Sequence, residues 1–283
     1  GLGNQGPHPA RLDAQMKHLW RRLVIVKARS AEKWIRRQRT RASFSRLSLG
    51  WFYQNRLAVI RILTRGALGS LHRLRVVYEA GQGCSDNFNV KYINLDRRPD
   101  RRREFELQAT RLGIPCERFS AVDREHGHLG CVESHIRILE GSVGTAGKYI
   151  FVAEDDLEFL IGRSELDQIL VEFDSLPEVD VLCLAHNARG MKIPVSKNIS
   201  LSHSIFTTAA YIVRSDSIPE LLTYFQRSKA LQENGAPPSL GALDVIWQEA
   251  QLSKLLFAIT RKRVCRQRES YSDITNSLKN YGV

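Results

Sequence analysis

Three consecutive carboxylates, Glu154-Asp155-Asp156, are the residues of this sequence whose types and spacing best suit chemistry. They directly follow the apolar run 149–153, which reads Tyr-Ile-Phe-Val-Ala. An unbroken, β-rich apolar run predicts a strand that is buried on both faces. Because unpaired charge is too costly to bury inside a sheet, we expect the acids at the carboxyl end of that strand. Open α/β sheets place their ligands at this edge.

Clustered carboxylates repel one another, and a hard divalent cation with oxygen ligands relieves that repulsion. Mg²⁺ or Mn²⁺ held in this way would bridge to a diphosphate. The alternative is an ordinary charged turn that ends the strand, since short acidic motifs often occur by chance. The tripeptide alone favours the turn, so the choice between a turn and a metal site depends on the rest of the chain.

The elements that must position these acids alternate between strands and helices. A helix is expected from Pro99, which suits a first helical position, to Gly113, which suits a helix end. Further helices are predicted from the apolar spacing of Val132, Ile136 and Leu139, and over residues 166–173, 217–225 and 242–252. Strands are predicted at 90–95, 117–122, 149–153, 179–184, 207–213 and 255–259, and polar loops at 188–205, read as a mobile flap, and 234–240. This alternation predicts an α/β domain with a mainly parallel sheet.

The positive charge of the chain is concentrated in its first third. Residues 1–86 hold 17 Lys and Arg against 4 Asp and Glu, whereas residues 87–283 hold 25 against 26. This asymmetry predicts a boundary near residues 81–87. We therefore expect residues 1–86 to form a basic extension that is poorly ordered or loosely helical, and residues 87–283 to form the α/β domain. No run of about 18 apolar residues predicts a transmembrane helix.

The basic extension has three interpretations. It is a solvated tail, or an amphipathic segment for targeting or for an anionic membrane, or a nucleic-acid-binding arm. The last is disfavoured because no ordered pattern of stacking aromatics accompanies the arginines. None of the five cysteines forms a CxxC pair, which argues against a zinc ribbon. The apolar contexts of Cys116, Cys131 and Cys183 predict core positions for these three.

Six blocks of the sequence occur in an order that carries a resemblance. They are Tyr92–Arg101 (YINLDRRPDR), Arg118–Asp123 (RFSAVD), Gly130–His135 (GCVESH), Glu154–Asp156 (EDD), Ala242–Trp247 (ALDVIW) and Gln267–Ile274 (QRESYSDI). In this order they resemble glycosyltransferase family 25, which includes lipooligosaccharide and procollagen galactosyltransferases. The resemblance spans about residues 89–283 and leaves out the basic first third.

The resemblance implies a GT-A fold, with a Rossmann-type sheet flanked by helices, and a Mn²⁺ or Mg²⁺ cofactor. It also implies an inverting transfer of galactose or glucose from a UDP-sugar to a hydroxyl of a glycan or glycoprotein acceptor. Fold likeness does not fix function, so the alternative is a catalytically inactive relative that acts as a binding or adhesion module. The intact acid triplet favours the enzyme.

The same resemblance assigns roles to the acids. Glu154 would face the ribose of the donor, and Asp156 would ligate the metal. Asp155 would contribute either to the ribose contact or to metal binding. Asp244 is the candidate base that takes the acceptor proton; it is equally well explained as a helix-start acid favoured by the helix dipole.

Other residues of the matching blocks are candidates for contacts with substrate. The remaining candidates for donor binding are Asn94, Asp96, Arg97, Ser134 and His135. The candidates for acceptor binding or for a lid are His186, Asn187, Gln267 and Asp273. By contrast, Arg101, Arg102 and Arg103 are expected to be solvated.

Overall fold

A computed structural model describes residues 51, 54–55, 57–62, 90–144, 147–272 and 277–279. The chain divides into two units, residues 1–77 and residues 78–283. In the first unit, the described residues between 51 and 62 are helical, and Trp51, Val59 and Ile62 are buried. No helix among the described residues combines the length and apolar character that a membrane crossing requires.

The second unit is built on an eight-stranded sheet in the order β2-β1-β3-β8-β5-β9-β7-β6. Its strands are β1 (Val90–Asn94), β2 (Cys116–Ser120), β3 (Tyr149–Glu154), β5 (Val181–Cys183), β6 (Lys192–Pro194), β7 (Ile199–Ser202), β8 (Ala210–Arg214) and β9 (Phe257–Thr260). Six of them run in one direction, while β8 and β7 run against them. The predicted α/β architecture with a mainly parallel sheet is confirmed.

Helices follow most of the strands. They are α1 (Pro99–Leu112), α2 (Gly127–Glu140), α3 (Arg163–Asp174), α4 (Ile218–Glu233), α5 (Pro238–Gly241) and α6 (Leu243–Gln251). The two end signals of α1 are confirmed, because Pro99 occupies its first turn and Gly113 closes it with a φ of 61°. Only glycine adopts that left-handed conformation without strain.

Side chains of β3 alternate between two cores, as the period of two in a strand requires. Ile150 and Val152 pack in the cluster formed with α2, α4 and α6, which also holds Trp247. Phe151 points to the opposite face, where its ring lies 6.3 Å from that of Phe159. Burial of four consecutive residues of β3 on both faces confirms the prediction from its apolar run.

The prediction of a polar loop over residues 188–205 was wrong in part. Strands β6 and β7 lie inside it and extend the sheet beyond β9. The strands are short, and Pro194 closes β6 on the edge of the sheet, where a missing backbone N–H is tolerated. Ser200 and Ser202 are buried despite their polarity. The pairing of β7 with β9 and of β6 with β7, rather than a local sequence pattern, therefore holds this segment in the sheet.

Two small sheets lie outside the main one. Strand β4 (Leu157–Phe159) follows the acid triplet and pairs antiparallel with β10 (Cys265–Gln267). Strands β11 (Ser270–Ser272) and β12 (Ser277–Lys279) form a further pair. The β4–β10 pairing returns the last part of the chain to the residues that follow β3.

Candidate active site

The side chain of Asp155 is held by hydrogen bonds from one residue of β1 and one residue of α1. Its Oδ2 accepts a hydrogen bond of 2.7 Å from Asn94 Nδ2, at the end of β1. Its Oδ1 accepts one of 2.8 Å from Arg101 Nη1, in the first turn of α1. Both side chains of the Arg101–Asp155 pair are nearly buried, at 12% and 8% exposure. A buried carboxylate is tolerated here because it is paired and hydrogen-bonded.

Glu154 and Asp156 are held beside each other by one amide group. Gln267 Nε2 lies 3.2 Å from Glu154 Oε2 and 3.4 Å from Asp156 Oδ1. Gln267 belongs to β10, which is anchored here by the 2.9 Å hydrogen bond from Arg268 N to the Asp156 carbonyl. The tail residue Gln267, predicted as a lid or acceptor contact, is thus brought to the acids.

Burial raises the pKa values of both Glu154 and Asp156, and repulsion between the negative charges adds to that rise. The side chain of Glu154 remains 27% exposed, so solvent and small solutes reach its carboxyl group. Carboxylate oxygens that destabilise each other's ionised form are the donor set that a hard cation such as Mn²⁺ or Mg²⁺ prefers. The residues present therefore fit a divalent cation.

Asp244 lies in the first turn of α6, near the same acids. Its side chain reaches solvent, yet the protein around it and the negative charge of Glu154 raise its pKa to about 7. Because the charge of Glu154 acts on this pKa, the carboxyl of Asp244 lies within electrostatic range of the end of β3. A carboxyl with a pKa near neutrality suits a proton acceptor better than an ordinary aspartate does.

The expectation of a solvated Arg101 was wrong. Its guanidinium bridges Asp155 and Asp156, with Nη1 3.4 Å from Asp156 Oδ2. The N-terminus of α1 lies beside the carboxyl end of β3, which brings the third residue of the helix over the acids. Arg102 and Arg103 are exposed, as expected. Sequence reasoning also missed Arg268, whose Nη2 donates a hydrogen bond of 3.2 Å to the Asp155 carbonyl oxygen.

Asn94 ends β1, and Asp96 and Arg97 follow it; of the three, Asn94 donates a hydrogen bond to the acid triplet. Asn94 is buried and also accepts a 2.8 Å hydrogen bond from Arg118 Nε through its side-chain oxygen. Asp96 is exposed and pairs with Arg118 and with Ser120 Oγ, the latter at 2.8 Å. Arg97 forms an ion pair with Asp123 on the surface.

Ser134 and His135 are adjacent on α2 and have different surroundings. Ser134 Oγ accepts a 2.9 Å hydrogen bond from Val122 N and donates one of 2.7 Å to the Gly130 carbonyl. These bonds tie α2 to the segment after β2, so the structure gives Ser134 a packing role. His135 is fully buried, and its Nε2 lies 3.9 Å from Glu154 Oε1. Of the two, His135 reaches the acids.

His186 and Asn187 are used in holding loops together. His186 Nε2 donates a 2.9 Å hydrogen bond to the Thr260 carbonyl, and burial lowers the pKa of His186 to about 4. Asn187 Oδ1 accepts one of 2.9 Å from Phe206 N. Neither bond involves the acid triplet. Asp273, the remaining lid candidate, lies outside the described residues.

The sequence is similar to a curated relative that carries a family name. The relative is the "Glycosyltransferase 25 family member" of Drosophila pseudoobscura pseudoobscura, with 27% identity over 123 residues. The resemblance to glycosyltransferase family 25 is confirmed. This match covers 33% of the chain and 20% of the relative, so the chain spans about a fifth of that protein's length. No family model matches the chain.

Solved structures with some likeness to the chain have low sequence identity to it. One is a glycosyltransferase involved in the glycosylation of the major capsid of PBCV-1, with a TM-score of 0.36, 10% identity, and coverage of 62% of this chain and 92% of that one. Another is mouse xyloside xylosyltransferase 1 in its apo form, with a TM-score of 0.36, 11% identity, and coverage of 60% and 70%.

Proposed function

We propose that this protein is a metal-dependent, inverting glycosyltransferase of family 25 with a GT-A fold. Its substrates would be a UDP-hexose, UDP-galactose or UDP-glucose, and a hydroxyl of a glycan or glycoprotein acceptor. The observation that carries the proposal is the contact of Gln267 with both Glu154 and Asp156 at the carboxyl end of β3, with Asp244 within electrostatic range of Glu154. These residues come from three separate parts of the chain.

The acids have distinct proposed roles. Asp156 and Glu154 would hold Mn²⁺ or Mg²⁺, with Glu154 also facing the ribose. Asp155, whose two oxygens accept hydrogen bonds from Asn94 and Arg101, would keep Arg101 in place and remains a further candidate ligand. When bound, the cation would neutralise the diphosphate as it leaves. Arg101 and Arg268 add two guanidinium groups beside the acids, and guanidinium suits phosphate oxygens.

Asp244 would act as the base of a single displacement. Its carboxylate takes the proton of the acceptor hydroxyl while that oxygen attacks the anomeric carbon of the sugar. The bond from the anomeric carbon to the diphosphate breaks with its electron pair on UDP, and the configuration inverts. A pKa near 7 leaves a useful fraction of Asp244 ionised at neutral pH while the group stays basic.

A donor screen with product identification tests this proposal. The full chain is incubated with a panel of UDP-sugars, with Mn²⁺ or with a chelator, and UDP release and sugar products are measured. We expect UDP release from at least one UDP-hexose that requires the cation. If the folded protein neither turns over nor binds any donor of the panel, the alternative of a non-enzymatic binding or adhesion module replaces the enzyme.

A further inference from the structure

A second set of possible metal ligands lies beside the three acids. Unlike the acids, which offer only oxygen atoms, this set also offers sulfur and nitrogen. Cys131 and His135 are four residues apart on α2, so both point to the same side of that helix. Glu154 at the end of β3 faces them. One ligand atom from each residue, a sulfur, a ring nitrogen and a carboxylate oxygen, all lie within 4.8 Å of one another.

The imidazole of His135 points an unsatisfied atom into this cluster. The side chain is fully buried. Its Nδ1 lies 3.0 Å from Tyr211 Oη, whereas Nε2 has no hydrogen-bond partner in the structure. Buried polar atoms without partners are rare and call for an explanation such as an ion or a water. Nε2 is 3.9 Å from Glu154 Oε1, too far for a hydrogen bond.

That separation suits a bridging metal ion. Zinc binds nitrogen and carboxylate oxygen at about 2.0–2.2 Å, so one ion can reach both atoms across 3.9 Å. The Nδ1 contact with Tyr211 would fix the ring, as a second partner usually does for a ligating histidine. As the sequence predicts, Cys131 packs against the core; it is half-buried, and its sulfur lies on the side of α2 that faces Glu154.

We propose that Cys131, His135 and Glu154 form a site for Zn²⁺ or a similar metal ion, which shares Glu154 with the hard-cation site at Asp156 but differs from it in its other ligands. Thiolate and imidazole ligands select Zn²⁺ over Mg²⁺ and Mn²⁺, which prefer oxygen. Three protein ligands leave a fourth position open. Binding would displace the thiol proton of Cys131 to solvent, because the thiolate is the ligand. Among the described residues, this is the group of three or more His, Cys and acidic side chains whose ligand atoms lie within 4.8 Å of one another.

Occupancy of this site would have a consequence for the reaction, which rests on the proposed function. Glu154 belongs to both sets of metal ligands. Zinc bound to it would therefore make this carboxylate unavailable for the nucleotide-sugar site. We therefore expect zinc to inhibit transfer even in excess Mn²⁺. Binding itself does not depend on turnover, so the site is testable whether or not the protein is an enzyme.

The test is a metal titration of the metal-free full chain. Zn²⁺ is titrated in competition with a chromogenic chelator, and Co²⁺ serves as a spectroscopic probe because a thiolate ligand gives a charge-transfer band. We expect one equivalent of tight binding with that band in the wild type. Cys131→Ser and His135→Gln should lose both. The matched control Cys116→Ser, which changes a half-buried cysteine on β2, should keep both.

Two further results decide the proposal. Asp156→Asn should retain zinc binding while it loses Mn²⁺, which separates the two sites. Circular dichroism establishes that each variant is folded, and Cys131→Ser carries the test if the buried His135 does not tolerate substitution. Absence of stoichiometric binding by the folded wild type, or a cobalt band that survives in Cys131→Ser, would overturn the site.

Discussion

Asp244 is the carboxyl group on which the proposed displacement depends. It lies in the first turn of α6 and reaches solvent, as a group that must meet an acceptor has to do. Its position at a helix start is also explained by the favourable field of the helix dipole. What the dipole does not explain is the raised pKa, which a helix N-terminus would lower. The protein around the carboxyl group, which removes part of its hydration, and the negative charge of Glu154 cause that rise.

Replacement of this carboxyl tests its role. Asp244→Asn should lower the rate of transfer by about 10²- to 10⁴-fold, the usual contribution of a general base. In the wild type, the rate should fall as pH decreases below about 7, because protonated Asp244 accepts no proton. Initial rates across pH measure both effects. Glu249→Gln on the same helix is the control, and equal losses in the two variants would contradict the assignment.

Arg101 is the residue that keeps two acids buried. Arg101→Leu should destabilise the fold by about 3–5 kcal/mol, the usual cost of removing one partner of a buried ion pair. Arg103→Leu changes an exposed arginine of the same helix and should have an effect near zero. Urea unfolding of the two variants provides the comparison. Similar unfolding midpoints would show that the Arg101 pairs do not hold the triplet.

Helix α2 is positioned by close backbone contact. A Cβ added to Gly130 would lie 2.3 Å from the carbonyl oxygen of Val122, a distance that real Cβ atoms do not show. Ser134 fastens the same contact through its hydrogen bond with Val122 N. Since α2 also carries His135 and Cys131, this packing sets the distance of both from Glu154.

Gly130→Ala should therefore disturb the fold and the site together. We expect a loss of about 1–3 kcal/mol, toward the upper end because a backbone atom must move. The affinity of the proposed zinc site, two of whose ligands lie on the same helix, should fall as well. Gly162→Ala, where the added Cβ meets nothing within 4 Å, is the control. Thermal unfolding measures the change, and a Gly130→Ala protein as stable as wild type would refute the close contact.

Elements with strong local signals were predictable from the sequence, and those held by distant pairing were not. The apolar run of β3 and the Pro99 and Gly113 signals of α1 are local, and the structure places both elements as expected. Strand β7 forms by pairing with β9, and β6 forms by pairing with β7. The contact of Arg101 with the acids depends on how α1 lies against β3. The role of Gln267 depends on the return of β10 to β4.

At the scale of the whole molecule, the acid cluster makes stability depend on pH. The pKa values of Glu154, Asp156 and Asp244 are raised in the folded state. The folded protein therefore holds more protons than the unfolded chain between about pH 4 and 7, the window from ordinary carboxyl pKa values to the raised ones. Stability in this window decreases as pH rises.

The melting temperature should accordingly fall between pH 5 and pH 8 when no divalent cation is present. Each kcal/mol corresponds to about 2–4 °C for a domain of this size. In the double variant Glu154→Gln/Asp156→Asn the fall should be smaller, because the groups that release protons are gone. The exposed pair Glu140→Gln/Glu220→Gln is the control. A double variant with the wild-type slope would show that the cluster is not the source.

The central claim is that the acids after β3 bind a nucleotide diphosphate through a divalent cation. Calorimetric titration of the full chain with UDP, with and without Mn²⁺, tests it most directly. We predict binding that requires Mn²⁺, is abolished by Asp156→Asn and is unchanged in Glu158→Gln, a nearby acid that pairs with Arg266. Binding of UDP that is independent of Mn²⁺ and of Asp156, or no binding by the folded protein, would contradict the account.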